Sequence, residues 1–186
     1  MVGRGGSNLE GAIGASLELL PEEGDGRVVV LVTDGVNLQG GTVDLRHVLV
    51  TGVGDDGIDW HYGWRGRGQF LITQQYLGMG DNGLEGDNNG DTPDATPLSH
   101  PVLSNVTLVG SLSERSDLGV LLRAGTAGNL HNLLVLDFQQ ACLDLDWEET
   151  FHRAWDGKDP TGLLTISHTT LDCASPFDEE VADPFP

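Results

Sequence analysis

Long hydrophobic runs are missing from this chain, and basic residues are few. No stretch approaches the roughly 18 consecutive apolar residues of a membrane-spanning helix, so a helical span is not expected. Nine lysines and arginines stand against 29 aspartates and glutamates, giving a net charge of −20 and a pI near 4.2. That balance argues against nucleic acid or an anionic membrane as partner, because phosphates would be repelled. It favours solubility, divalent cations or an exposed extracellular setting. Cysteine is scarce too: Cys142 and Cys173 form no C-x-x-C or Cys/His pattern of the kind that holds zinc. The opening Met1-Val2-Gly3-Arg4-Gly5 contains no signal-peptide hydrophobic run. If the protein is exported, this start is expected to be internal, truncated or misassigned.

Glycine, by contrast, is abundant. The 27 glycines are about twice the usual ~7% share, as expected where a chain turns sharply and often. They punctuate a repeat: one or two polar residues, a small residue, then a short alternating strand. The small residues fall at Gly35, Gly57, Gly83, Gly119 and Ala141, with gaps of 22, 26, 36 and 22. A second strand signal precedes most of them, at Val43–Val50, Gln69–Thr73, Val102–Val109 and Leu130–Leu136. Two short strands per period in the low twenties is the pattern of a solenoid. Alternation puts Ile58 and Trp60 on the inner side with Asp59 and His61 outside. The alignment predicts an inward row of Ile58, Leu84 and Leu121 or its neighbours. Cys142 and Cys173, 31 residues apart, fall on adjacent coils, where they read equally as a disulfide or as two buried thiols.

Three regions follow: an N-terminal cap over residues 1–26, a parallel β-helix over 27–175 and an acidic, fraying tail over 176–186. In the cap, Asn8–Leu20 reads as a helix: Ser7 and Glu10 make a capping box, and Leu9, Ile13, Leu17 and Leu20 form one stripe. A helix there would cover the open end of the solenoid. The 36-residue gap holds about fourteen extra residues, assigned to Gly86–Pro101, rich in Gly, Asp, Asn and Pro and expected to project as a loop. Trp147–Thr161 is a second polar insertion, and Leu163–Leu171 alternates as the last strand.

Several clusters carry candidate chemistry. Asp34, Asp55 and Asp56 lie on successive coils. Thr33-Asp34-Gly35-Val36 followed by Gly54-Asp55-Asp56-Gly57-Ile58 resembles the paired acidic motifs of polygalacturonases, parallel β-helix glycoside hydrolases. The resemblance implies acid–base roles for Asp34, Asp55 and Asp56. The family's Gly-His-Gly is replaced by Asp81-Asn82-Gly83, and its Arg-Ile-Lys survives as Leu121-Leu122-Arg123. Oxygen ligands crowd the segment from Asp81 to Asp94, and Asp81, Glu85, Asp87, Asn89 and Asp91 are candidate ligands for Ca²⁺. Trp64, Arg65, Arg67 and Arg123 are candidate sugar- and uronate-binding residues. His47, His131 and His168 read as coil-surface residues.

A longer resemblance covers most of residues 27–173. The runs GGTVDLRHVLVTGVGDDGIDWHYGWRGRGQFLITQQ, GDNGLEGDNN, SNVTLVGS and GVLLRAGTAGNLHN are similar to secreted bacterial right-handed parallel β-helix proteins of pectin-lyase-like fold. This implies an exported protein and brings no established reaction. Residues 5–35 also resemble part of a von Willebrand factor A domain, which would give Ser7 and Asp34 roles at an incomplete metal site. The expectation is thus an all-β, right-handed parallel β-helix with an N-terminal capping helix. Its expected role is a non-catalytic extracellular or cell-surface module, polysaccharide-facing and calcium-supported. The alternative is a glycoside hydrolase or polysaccharide lyase acting on acidic polysaccharide.

Overall fold

Short alternating segments separated by glycine-rich turns cannot bury their apolar side alone, so they stack. The computed structural model describes residues 29–31 and 35–178; the expected helix Asn8–Leu20, with Ser7 and Asp34, lies outside them. Two parallel sheets result. One takes β2 (Val36–Gln39), β4 (Ile58–His61), β6 (Leu84–Asp87), β8 (Leu118–Arg123) and β10 (Ala141–Leu145) in that spatial order. The other takes β1 (Val29–Leu31), β3 (Leu45–Thr51), β5 (Arg67–Gln74), β7 (Val102–Val109), β9 (Gly128–Leu136) and β11 (Leu164–Ser167), with β12 (Thr170–Asp172) also on β9. The chain alternates between the sheets and each strand pairs with the next coil's counterpart, the architecture of a right-handed parallel β-helix.

Register places the inner side chains in rows. Val36, Ile58, Leu84 and Val120 stack in sequence and are all buried. Leu121 pairs with Glu85 in the neighbouring outer row, so its neighbour Val120 fills the expected inward place. The second row runs Leu38, Trp60, Gly86, Leu122. A bulky indole there needs a small neighbour: a Cβ on Gly86 would sit 2.2 Å from the Trp60 ring. Trp60 Nε1 donates to Thr126 Oγ1 at 3.0 Å, which satisfies its buried N–H.

The fifth period departs from the expected spacing. Leu143 pairs with Val120 and Ala141 with Leu118, so Gly119 is matched by Cys142 and the last step is one residue longer than the Gly119-to-Ala141 gap suggests. Cys142 is buried and bonded to Cys173. Residues past Ser175 continue the pattern, since Phe177 bridges Leu143 and Asp178 N–H donates to the Leu143 carbonyl. One isolated pairing therefore lies just past residue 175.

The larger sheet bends at one place in each coil. His47, Phe70, Asn105, Asn132 and His168 all have φ between 55° and 59° and align in register. Left-handed backbone costs roughly 1–2 kcal/mol at a non-glycine residue, so the bend needs support from its neighbours. The His47 and Phe70 rings stack at 5.0 Å, and Asn132 Nδ2 donates to Asn105 Oδ1 at 2.6 Å. At His168 the bend separates β11 from β12, dividing the last expected strand.

Each insertion is anchored to the coils by a buried residue, while residues 155–163 of the second are exposed throughout. Gly86 and Asp87 remain in β6. Asn88, fully buried, anchors the following loop by donating to the Pro93 and Ala95 carbonyls and accepting from Ser99 N–H. The second insertion contains α1 (Glu148–Ala154), whose Thr150 Oγ1 accepts from Gly125 N–H. Ile58→Ala should lower unfolding free energy by about 2–5 kcal/mol in a denaturant titration, because a fully buried row would be left with a cavity.

Candidate functional site

The outer side of the five-stranded sheet and the turns that enter it bring together Asp55, Asp56, Asp59, Asp81, Glu85 and Asp87. Coils repeat at ~4.8 Å, and the 26-residue step from Ile58 to Leu84 places Asp81 over Asp55 and Asn82 over Asp56. These residues lie in the turns that enter β4 and β6. Oxygens of Asp55, Asp56 and Asp81 come within 4.8 Å of one another. Asp56 Oδ1 accepts Asn82 N–H at 2.9 Å, so the turns of adjacent coils are joined at this point. Beside the cluster lies a hollow lined by Gly35, Val36, Asn37, Asp55, Asp56 and Asp59. Its volume is about 30 Å³, room for a water or a small ion.

Two polar groupings continue along the same face. Asn37, Asp59 and His61 form the first: Asn37 Nδ2 donates to Asp59 Oδ2 at 2.5 Å, and His61 Nε2 lies 3.0 Å from Asn37 Oδ1. Glu85, Asp87 and Arg123 form the second. Arg123 bonds Glu85 through Nη2 and Asp87 through Nε at 3.1 Å, while Asn82 Nδ2 donates to Glu85 Oε2. Burial, reinforced by like charge nearby, shifts the carboxyls. Burial, then the Glu85 charge, pushes Asp56 up to about 8. Burial, followed by Glu85, Asp87 and Asp55, pushes Asp59 up to about 7. Burial also raises Asp81, reinforced by Asp117 and Asp55. His61 is lowered by burial despite the nearby acids.

Sequence expectation and geometry part company at several residues. Asp55 and Asp56 meet, but their third carboxylate is Asp81, expected instead in a separate calcium loop; Asp34 lies outside the described residues. The five residues expected around that loop do not share one. Glu85 and Asp87 sit on β6 against Arg123, whereas Asn89 Oδ1 accepts from Asp91 and Thr92 N–H within its own turn. Trp64 is corrected from a sugar-stacking residue to a core one: it is fully buried, with Nε1 donating to the Val43 carbonyl. Arg67 lies on the other sheet, paired with Asp44, and Arg65 is exposed in the turn between β4 and β5. Arg123 alone of those four reaches the acidic face. Asn37 carried no motif and is visible only through its register with Asp59.

The raised carboxyls make stability depend on pH. A carboxyl whose pKa is higher folded than unfolded leaves the native state with more bound protons. Stability therefore falls as pH rises from about 4, the ordinary carboxylate value, towards about 8, where Asp56 ionises in the fold. Thermal melts in EDTA should show a higher Tm at pH 5 than at pH 8. Asp56→Asn should flatten that slope; an unchanged slope would remove Asp56 as its cause.

Comparison with known proteins agrees with this architecture. The model of the pectate-lyase-like beta helix domain matches residues 28–174. No curated protein and no solved structure matches the chain. Two parallel sheets stacked coil on coil and a family match spanning most of the sequence lead to one assignment: the chain belongs to the pectate-lyase-like β-helix family.

Proposed function

We propose that the protein is an extracellular or cell-surface β-helix module that faces a polysaccharide with the outer side of its five-stranded sheet. A calcium ion held by Asp55, Asp56 and Asp81 supports that surface. The observation behind the reading is the convergence of three carboxylates from two adjacent coils at the edge of a small hollow. Hard oxygen ligands of this kind suit Ca²⁺, whose remaining positions are open to water or to the oxygens of a sugar. A divalent ion would also offset the carboxylate repulsion that, together with the larger effect of burial, raises Asp56, Asp59 and Asp81. The Cys142–Cys173 disulfide is in keeping with an oxidising compartment.

The same face favours binding over turnover of an acidic polymer. Arg123 is engaged by Glu85 and Asp87, so an anionic sugar would meet carboxylates before it met a cation. Calcium supplies the missing positive charge. Calorimetric titration should detect Ca²⁺ binding. A concentration near 100 times Kd should stabilise the fold by about 2.7 kcal/mol, with the gain reduced in Asp81→Asn. No heat and no thermal shift at millimolar Ca²⁺ would remove the calcium reading.

A second reading, glycoside hydrolysis, draws on Asp56. A carboxyl pushed up to about 8 is protonated near neutrality and is suited to donate to a leaving oxygen while Asp55 or Asp81 activates water. We expect little or no hydrolysis of polygalacturonate. Turnover that is abolished by Asp56→Asn in a protein that still folds would replace the module reading with the enzyme.

A further inference from the structure

We infer that Gln75 is a positioning residue for the cation site, an inference that rests on the reading of Asp55, Asp56 and Asp81 given above. Three successive turns leading from the larger sheet to the five-stranded one each contain a buried side chain: Val53, Gln75 and Ser116, none more than 3% exposed. Val53 needs no partner. The Gln75 side chain instead crosses its own turn, where Nε2 donates to the Asp81 carbonyl at 3.2 Å and the Asn82 carbonyl at 3.0 Å. Those carbonyls already accept from Asp117 N–H and Gly57 N–H, so the amide is not required to satisfy them.

The amide also carries a cost. Gln75 Oε1 is buried with no hydrogen-bond partner among the described residues, a desolvation cost that an apolar side chain such as Val53 avoids. What the amide provides is placement of two residues that build the site. Asp81 supplies the third carboxylate, and Asn82 gives its N–H to Asp56 and its Nδ2 to Glu85. The turn is shaped around the side chain: Gly80 has φ 98°, and a Cβ there would lie 2.4 Å from Gln75 Cδ. Groups one shell behind a metal commonly set its affinity by holding the ligands in place.

Gln75→Met keeps the length and removes the donor. In EDTA, amide hydrogen exchange at Asn82 and Gly57 should quicken about tenfold, while Leu71 in β5 is unchanged. Calorimetry should give a Ca²⁺ affinity about tenfold weaker, with Tm close to the parent protein. Wild-type exchange at Asn82, or wild-type calcium affinity in the variant, overturns the positioning role. So does a general rise in exchange with a lowered Tm, which would make Gln75 a packing residue. If the parent protein takes up no Ca²⁺ while exchange at Asn82 still quickens in the variant, the cation reading falls and the hold on the turn stands. Gln75→Glu, which turns an acceptor towards the two carbonyls, should loosen the same amides and provides the test if the Met variant folds poorly.

Discussion

In-register parallel stacking is the constraint on which the rest of this molecule depends. Each strand contributes one rung to a ladder, and equivalent residues of successive coils are held at ~4.8 Å. Inside the helix that spacing forces complementary volumes, as where Gly86 yields to the Trp60 ring. Outside, it brings together side chains that no single turn would collect. Asp55 and Asp81 are distant in sequence and neighbours in space because their strands pair Ile58 with Leu84. The acidic face therefore follows directly from register, and a slip of one residue would dissolve it.

Concentrating acids this way opposes folding, and the molecule answers the repulsion differently along the face. Glu85 and Asp87 are met by Arg123. Asp59 is tied to Asn37. Asp56 receives a backbone N–H from the next coil, yet burial still holds it protonated to about pH 8. Among the described residues no arginine or lysine forms an ion pair with Asp55, Asp56 or Asp81, which is the physical ground for looking there for a cation.

The legible part of this structure was the part that repeats. Glycines at 35, 57 and 83 mark the coils, and once those are aligned, Asp81 falls over Asp55 by counting. The count fails at the fifth coil because Cys142 takes the glycine's place and the adjacent Ala141 imitates the expected small residue. Interactions that leave the repeat were not legible. Gln75 reaches across a turn lengthened within its own coil, Asn88 gathers a loop through three hydrogen bonds, and Trp64 turns inward from a run rich in charge. Each depends on where a chain excursion returns, and composition does not encode that return.

Cys142 has a mechanical consequence. Solenoids are held together by nearest-neighbour contacts, so they come apart rung by rung from an end. The disulfide fastens the fifth rung of the smaller sheet to the turn that enters the next coil. Unpeeling from that side meets a covalent stop, and a pulling force applied there is carried past the last hydrogen bonds into the body of the ladder. The acidic coils stand nearer the opposite end, without such a fastening among the described residues. A ligand spanning Asp55, Asp56 and Asp81 would cross-link two rungs there, acting as a reversible counterpart to the permanent rivet at the other end.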